Sequence, residues 1–228
     1  MKTLLKIGII TFLAFGMFAC DLDDDDSYSL GKFWVGFGLI ENEDSDGDGF
    51  TIKMDDGSVL YPVSAYYYLN HADEYDRVLV NYTIIGDKRI DDEHEEYYVK
   101  INSLKDILYK DIFEITAETE DSIGNDPIHV NEVWQSNNLL TFELDYYGYN
   151  KVHYINLVRP PGVLSVDVPV HLELRHNDRD DEQNYWLSAL VTFNLESLQI
   201  AGQDSVQFIV TGDDFEGEEF TYSGVYRY

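Results

Sequence analysis

Short segments of alternating hydrophobic and polar residues make up most of the chain. In the first half, this alternation occurs in segments bounded by clusters of Gly, Asp or Asn, at residues 32–41, 49–54, 57–63, 77–85 and 95–101. Because successive side chains of a β-strand point to opposite faces, a period of two residues predicts strands. Several strands within fewer than about 100 residues predict a small closed barrel.

The pattern lapses at residues 117–130, a polar stretch with one Gly and one Pro that predicts a domain boundary. Just before it, residues 103–115 predict a short helical turn followed by another strand. Beyond it, six alternating segments separated by turn residues predict an antiparallel β-sandwich. We therefore predict an all-β chain, with a barrel domain at residues 28–117 and a sandwich domain at residues 118–228.

The first 19 residues have the composition of an export signal. Lys2 and Lys6 give a positive start, and residues 7–19 form an uncharged apolar segment. A helix that spans a bilayer needs about 20 apolar residues, so this segment is too short. We interpret residues 1–19 as a cleaved signal peptide.

Cys20, the only cysteine of the chain, directly follows this segment. A secreted chain with one thiol cannot form an internal disulfide. A cysteine at this position is typical of the lipid attachment site of a bacterial lipoprotein. We predict that Cys20 carries a lipid that anchors the protein to a membrane, with a free or disulfide-bonded thiol as the alternative.

An acidic run completes residues 20–27. Like charges this close repel one another and bury little apolar surface, so the run predicts a solvated tether. It also resembles a sorting signal: an acidic stretch here directs export to the cell surface in some gut and oral Gram-negative bacteria, whereas an aspartate next to the cysteine favours inner-membrane retention in enteric bacteria. We predict outer-membrane attachment with surface exposure. The acidic residues are Asp21, Asp23, Asp24, Asp25 and Asp26.

The composition excludes some partners and allows others. The formal charge of −29 at pH 7 repels phosphate groups, so we expect no nucleic acid partner. Solubility is the simplest use of this acidity, and a cationic protein or peptide, or divalent cations, would also suit it. With 44% hydrophobic and 14% aromatic residues, the chain has enough apolar material for a substantial core.

Several stretches together resemble the NigD-like lipoproteins over essentially the whole mature chain. They are CDLDDDDSYSLGKFWVGFGLIE, DDGSVLYP, YYVKINSLKDILYKDIFEIT, DSIGNDPIHV and ELRHNDRDD. The resemblance implies an N-terminal five-stranded barrel of the oligonucleotide/oligosaccharide-binding (OB) type followed by a C-terminal β-sandwich, which agrees with the strand pattern. It also implies a role in bacteriocin production or immunity, and it supplies no catalytic or binding residues.

A calcium loop is one interpretation of the acidic segment after the first strand. Asp44, Asp46, Asp48 and Asp55 have the spacing of positions 1, 3, 5 and 12 of a calcium-binding loop, in which alternate oxygens converge on the ion. The flanking strands, and Asp instead of a bidentate Glu at the last position, favour an acidic hairpin loop instead. We expect no cofactor, with Ca²⁺ at this loop as the first metal hypothesis.

A zinc site on the segment HLELRH is a second metal hypothesis. In a strand, His171, Glu173 and Arg175 share one face, and His176 is close in sequence. An ion pair between Arg175 and Glu173 or a neighbour is the expected use of that face.

Two serines lie in short patterns that resemble an O-glycosylation acceptor of gut bacteria. Ser122 is in Asp-Ser-Ile and Ser205 is in Asp-Ser-Val. We predict them as modification sites, to be tested by the intact mass of protein purified from its natural host.

Tyrosine-rich segments are the candidate ligand-binding positions. Tyr146, Tyr147 and Tyr149 could present aromatic rings to a sugar, and residues 65–69 contain another such cluster. Core and cross-strand packing is the alternative role of these rings.

The sequence contains no motif of nucleophilic hydrolysis and no phosphate-binding glycine loop. We therefore expect a non-catalytic envelope lipoprotein that binds a cationic partner and takes part in bacteriocin immunity. A surface carbohydrate-binding module is the alternative. An envelope hydrolase with a site assembled from dispersed residues is a further one.

Overall fold

The computed structural model describes residues 31–42, 50–64, 76–89 and 95–228. The predicted signal peptide, Cys20 and the acidic tether lie outside these residues, as does the tyrosine cluster at 65–69. The described part of the first half forms the strands β1 (Trp34–Asn42), β2 (Phe50–Met54), β3 (Val59–Ser64), β4 (Arg77–Arg89) and β5 (Glu95–Asp111).

These five strands close into a barrel. Their order is β3-β2-β1-β4-β5, and a parallel pairing of β3 with β5 closes the ring. The alternation seen in the sequence fills the interior, because every second residue of β4 is buried, as Val78 and Val80 show. Gly38 lets β1 lie close to β2, since a Cβ atom there would come within 2.5 Å of the Ile52 side chain.

The second half forms a sandwich of two sheets. One sheet has the order β11-β8-β7 and continues from β5, and the other has the order β13-β12-β10-β9-β6. The elements are β6 (Phe113–Glu114), the short helix α1 (Glu120–Ile123), β7 (His129–Ser136), β8 (Leu139–Gly148), β9 (Tyr154–Arg159), β10 (Val170–Asn177), β11 (Tyr185–Asn194), β12 (Ser205–Asp213) and β13 (Glu219–Arg227).

The predicted helical turn at residues 103–115 is wrong. Instead β5 continues without interruption to Asp111, pairing with β4 along its first part and with β11 through residues 108–111. Hydrogen bonding first to β4 and then to β11 outweighs the local helical preference of this segment. The strand thereby joins the barrel to one sheet of the sandwich.

The polar stretch at residues 117–130 contributes to the sandwich core. Ile123 and Ile128 within it are buried, and its last residues begin β7, a strand that the sequence pattern did not indicate. Most sandwich pairings are antiparallel, as predicted, but β10 and β12 pair in parallel because β11 between them belongs to the other sheet.

The predicted all-β architecture, a barrel followed by a sandwich, is confirmed. Among the described residues, no helix is long and apolar enough to cross a membrane.

Candidate binding face

The outer side of the β7-β8-β11 sheet carries a continuous set of polar and aromatic side chains. On β8, Phe142 and Leu144 point into the core, so the residues between them point outward, and residues in register on β7 and β11 share that side. We call this surface the acidic–aromatic face. Leu190, opposite Glu143, is its apolar member, and its polar and aromatic members are His129, Glu132, Trp134, Thr141, Glu143, Asp145, Tyr147, Trp186, Ser188 and Thr192.

Three aromatic rings cluster at one end of the face. Tyr147 and Trp186 are cross-strand partners with ring centroids 4.6 Å apart, and Phe215, from the β12–β13 loop, lies 5.5 Å and 5.3 Å from them. Tyr147 is 40% exposed and Trp186 is 48% exposed. These rings pack on one another while large parts of their surfaces face solvent, as in sites that bind sugars or cations.

Asp145 lies between the aromatic cluster and the middle of the face. Its carboxylate accepts hydrogen bonds from Ser188 Oγ at 2.5 Å and from Trp186 Nε1 at 3.1 Å. The bonds from Ser188 and Asn131, together with the one from Trp186, hold the pKa of Asp145 below its usual range. Asp145 is therefore a carboxylate that orients the indole of Trp186.

His129 is next to this carboxylate in the strand register, but its Nδ1 lies 2.9 Å from Asp214 Oδ2. Its ring is also 6.5 Å from that of Trp186. A serine, a histidine and two aspartates thus meet on one surface. The Ser188 hydroxyl donates to Asp145 and the His129 ring contacts Asp214, an arrangement that holds side chains in place and differs from the Ser–His pair of a hydrolase.

Two glutamates lie opposite each other in the middle of the acidic–aromatic face. A bulge in β7 between Val130 and Glu132 shifts the register so that Glu132 lies directly opposite Glu143, and both are exposed. Like charges in directly opposite positions are destabilising. No Lys or Arg among the described residues forms an ion pair with either carboxylate.

The barrel covers the other end of the face through a buried arginine. Arg77 is fully buried and donates to both oxygens of Asp55, at 2.5 and 2.7 Å, while its Nε lies 3.4 Å from Thr192 Oγ1. The ring of Phe37 packs against the Arg77 guanidinium and against Trp134. These contacts fix the barrel to the sandwich and leave the middle and the aromatic end of the face open.

The structure separates the three tyrosines that the sequence analysis grouped. Tyr147 belongs to the acidic–aromatic face, whereas Tyr146 points to the opposite side and packs on His153 and His176, with ring centroids 4.8 and 5.3 Å away. Burial raises the pKa of Tyr146. Tyr149, in the β8–β9 loop, is half exposed and lies 5.9 Å from Tyr185.

A buried cluster beneath Tyr146 holds the loops at this end of the sandwich. His153 Nδ1 lies 2.9 Å from His176 Nε2, and His153 Nε2 lies 3.2 Å from Asp181. Burial disfavours the charge of Asp181, but backbone N–H groups of the β8–β9 loop, led by Tyr149, hold its pKa well below the usual range. Burial lowers the pKa of His176.

Hydrogen-bond partners fix the protons of this cluster. The carbonyl of Pro127 only accepts, so His176 Nδ1 carries a proton, and ionised Asp181 only accepts, so His153 Nε2 carries one. The two rings contact each other through His153 Nδ1 and His176 Nε2, and the tautomer decides which nitrogen donates.

The zinc hypothesis fails because its residues lie on two faces of β10. His171, Glu173 and Arg175 point outward, as predicted, but His176 is buried on the other side. The expected ion pair forms, with Arg175 Nη1 3.6 Å from Glu173 Oε2. Within the described residues, no group of three His, Cys, Asp or Glu side chains is arranged to hold a metal ion.

Of the predicted calcium ligands, only Asp55 lies within the described residues. Both of its carboxylate oxygens bond to Arg77, so the structure assigns it to the contact between barrel and sandwich. Asp44, Asp46 and Asp48 lie outside the described residues, and the calcium loop stays a prediction.

The two predicted glycosylation sites occupy different settings. Ser122 is exposed in α1 and donates to the Thr119 carbonyl, whereas Ser205 is half-buried at the start of β12 and donates to Asp204. Their modification stays a prediction.

Comparison with protein families gives two matches that follow one another along the chain. The family described as "NigD-like N-terminal OB domain" matches residues 40–107, and the family described as "NigD-like C-terminal beta sandwich domain" matches residues 111–225. Curated proteins give no match.

Solved structures of Parabacteroides and Bacteroides proteins have the same fold over most of this chain. A protein of Parabacteroides distasonis, described as a candidate toxin-related protein, is 28% identical, with a TM-score of 0.68 over 86% of this chain and 94% of its own. A NigD-like immunity protein of Bacteroides caccae is 15% identical, with a TM-score of 0.58 over 88% and 99%. A candidate lipoprotein of Bacteroides fragilis is 12% identical, with a TM-score of 0.60 over 86% and 98%.

Proposed function

Because the chain belongs to the NigD-like family, we propose that it is a lipid-anchored protein of the bacterial cell envelope that binds a cationic polypeptide on its acidic–aromatic face. Binding, and not catalysis, is its activity. Bacteriocin immunity is the setting we propose, with a cationic toxin or its receptor as the partner. The name of the B. caccae immunity protein supports this setting.

The sequence supports the envelope location. Cys20 directly follows an apolar export segment, and a solved structure of the same fold is described as a candidate lipoprotein. We propose that the lipid holds the protein at the outer membrane with its folded domains outside the cell. Protease treatment of intact host cells tests this location: a chain with Asp23–Asp26 changed to Ala becomes protected, whereas the native chain is cut.

The pairing of Glu132 with Glu143 carries the proposal. The fold places two exposed carboxylates directly opposite one another without a cationic partner among the described residues. An arginine or lysine of a ligand would remove this repulsion and form ion pairs with both.

The aromatic cluster extends this site. Tyr147 and Trp186 lie on the same side of the sheet as the two glutamates and present exposed rings, against which a second basic side chain could pack. The charge of −29 would attract such a ligand over a distance and raise its association rate at low salt. The proposed ligand is therefore a basic segment with at least two cationic side chains.

Titration with a defined cationic probe tests the site. A peptide of ten arginines is titrated calorimetrically into the full-length chain at about 10 mM salt, where charges act over about 30 Å. The double variant Glu132→Gln/Glu143→Gln should bind about tenfold more weakly, since each exposed ion pair contributes up to about 1 kcal/mol.

A second double variant controls for net charge. Glu118→Gln/Asp167→Asn also removes two exposed carboxylates, but from positions outside the face. It should retain nearly the native affinity. Equal weakening by the two double variants would mean that the peptide responds only to overall charge, and the proposed site would be wrong.

Carbohydrate binding is the second candidate function. Tyr149 and Tyr185 are half exposed next to each other, and on the other side of the sheet Tyr147 packs on Trp186, which is oriented by Asp145. Exposed rings near hydroxyl and carboxylate groups, as at Trp186, suit a sugar. A glycan array distinguishes the two: a retained glycan that is lost with Trp186→Ala but kept with Glu132→Gln/Glu143→Gln would favour this candidate.

A further inference from the structure

β13 is a long strand at an open edge of the second sheet. It pairs only with β12, over nine residue pairs without a bulge, whereas the other edge of the sheet is β6 with two residues. Protein sheets usually protect such edges with lysine, proline, bulges or short strands. β13 contains no lysine or proline.

The unpaired backbone groups of this edge belong to alternate residues. Tyr228 N–H donates to Asp204 on the β12 side, so residues an even number of positions before it also face β12. The carbonyl of Val225 faces the other way, where Gln135 Nε2 lies 3.3 Å from it. The residues whose backbone groups point outward are Glu219, Thr221, Ser223, Val225 and Arg227.

The charges at the two ends of β13 complement each other. Glu219 lies opposite Asp213 of β12, so two carboxylates share one end, while Arg227 lies opposite Ser205 at the other end. Among the described residues, no ion pair involves Glu219 or Arg227. The two residues are equally distant from Ser223.

We propose that β13 is a self-association site at which a second copy of this chain adds its own β13 in antiparallel orientation, centred on Ser223. In this register Glu219 lies opposite Arg227 of the partner subunit, and the reverse pair forms at the other end. Every outward-pointing residue then meets an outward-pointing residue, which gives about ten backbone hydrogen bonds across the pair. Gln135 can release Val225 because it also donates to the Asn137 carbonyl at 3.1 Å.

Ionic strength should affect this association and the proposed ligand binding in opposite directions. Two copies that each carry −29 repel one another, so raising the ionic strength strengthens the dimer. Binding of a cationic peptide to the acidic–aromatic face weakens under the same change. Failure of one proposal therefore leaves the other standing.

Cysteine crosslinking tests the register. The probe is the full-length chain with Cys20→Ser, so that an introduced cysteine is the only thiol. With Ser223→Cys, the two thiols face each other across the two-fold axis with Cα atoms about 5.5 Å apart, a separation that a disulfide bridges. Thr221→Cys is the matched control on the same strand, because its thiol faces Val225 of the partner subunit.

Mild oxidation should crosslink Ser223→Cys at least tenfold faster than Thr221→Cys. Charge-reversal variants give a second test, in which sedimentation measures the dissociation constant of the dimer. Arg227→Glu should weaken the dimer about tenfold, and Glu219→Arg together with Arg227→Glu should restore it. Equal crosslinking of the two cysteine variants, or a monomer at every concentration and salt, would overturn the proposal.

Discussion

The two outer faces of the sandwich are both β-sheet surfaces with acidic side chains, but the charges of these side chains are neutralised differently. On the second sheet, Arg175 lies between Glu173 at 3.6 Å and Glu120 at 4.0 Å, so the carboxylates have a cation nearby. On the first sheet, Glu132 and Glu143 face each other without one. The first face also exposes an aromatic cluster. A sheet whose own cations neutralise its acids needs no partner, whereas the first face has unbalanced charge that a ligand can use.

The largest expected effect is on stability, where breaking the ion pair of Arg77 should cost more free energy of unfolding than breaking that of Arg175. Arg77 is fully buried, so Asp55→Asn should lower the free energy of unfolding by about 3 kcal/mol, because it leaves a buried charge without its partner. Glu173→Gln breaks the more exposed pair with Arg175 and should cost less than about 1 kcal/mol. Urea unfolding of both variants measures the difference. Equal losses of unfolding free energy would contradict the role of the buried Arg77 in holding the barrel against the sandwich.

The burial of His176 predicts that the free energy of unfolding depends on pH, with an effect smaller than the loss of the Arg77 ion pair. The pKa of His176 lies below its ordinary value of 6.5, so the unfolded chain takes up a proton before the folded chain does. The stability contributed by neutral His176 is therefore complete above pH 6.5 and is lost as the pH falls through the folded pKa, by at most about 1.4 kcal/mol per pH unit. The added proton would lie on His176 Nε2, which faces His153 Nδ1 at 2.9 Å.

Unfolding free energies measured between pH 7 and pH 5 check this effect. His176→Gln should reduce the slope in that range, while His171→Gln, on the exposed side of the same strand, should keep it. Burial lowers the pKa of His176, and although the charges of Asp126 and Asp178 raise it, the pKa stays below its ordinary value, so the wild-type loss should begin below pH 6.5. An unchanged slope in His176→Gln would contradict the prediction.

The smallest expected effect comes from removing the cation of the second face, which leaves its carboxylates unneutralised like those of the first. Arg175→Gln leaves Glu173 and Glu120 without their cation, so the affinity for the ten-arginine peptide should rise by less than about threefold. Arg159→Gln, at the end of β9, frees Glu114 of β6 and serves as the control. A larger gain in affinity for Arg175→Gln than for Arg159→Gln would support local neutralisation as the cause. Equal gains would mean that the peptide responds only to net charge.

Sequence alternation predicted the barrel and the sandwich because strand period and turn residues are local signals. It predicted a helical turn at residues 103–115, where pairing with β4 and β11 decides the structure. The ion pair of Arg175 with Glu173 was also predictable, because the two residues are neighbours on one strand face.

The candidate site was only partly predictable. Tyr147 was found, and the YW pair at the start of a predicted strand could have indicated Trp186. The opposition of Glu132 and Glu143 depends on a bulge that carries no sequence signal, and β7 itself was missed. The contact of His153 with His176, 23 residues apart, depends on how two strands pair. Long-range register is thus the information that one sequence lacks.

Hydrogen–deuterium exchange with and without the ten-arginine peptide tests the central claim most directly. At about 10 mM salt, the full-length chain should gain protection in peptides from β7, β8 and the first half of β11, and little in β10 or β12. The protection should be much smaller in Glu132→Gln/Glu143→Gln at the same peptide concentration. Equal protection of both sheets, or protection confined to the second, would contradict the assignment of the acidic–aromatic face as the binding site.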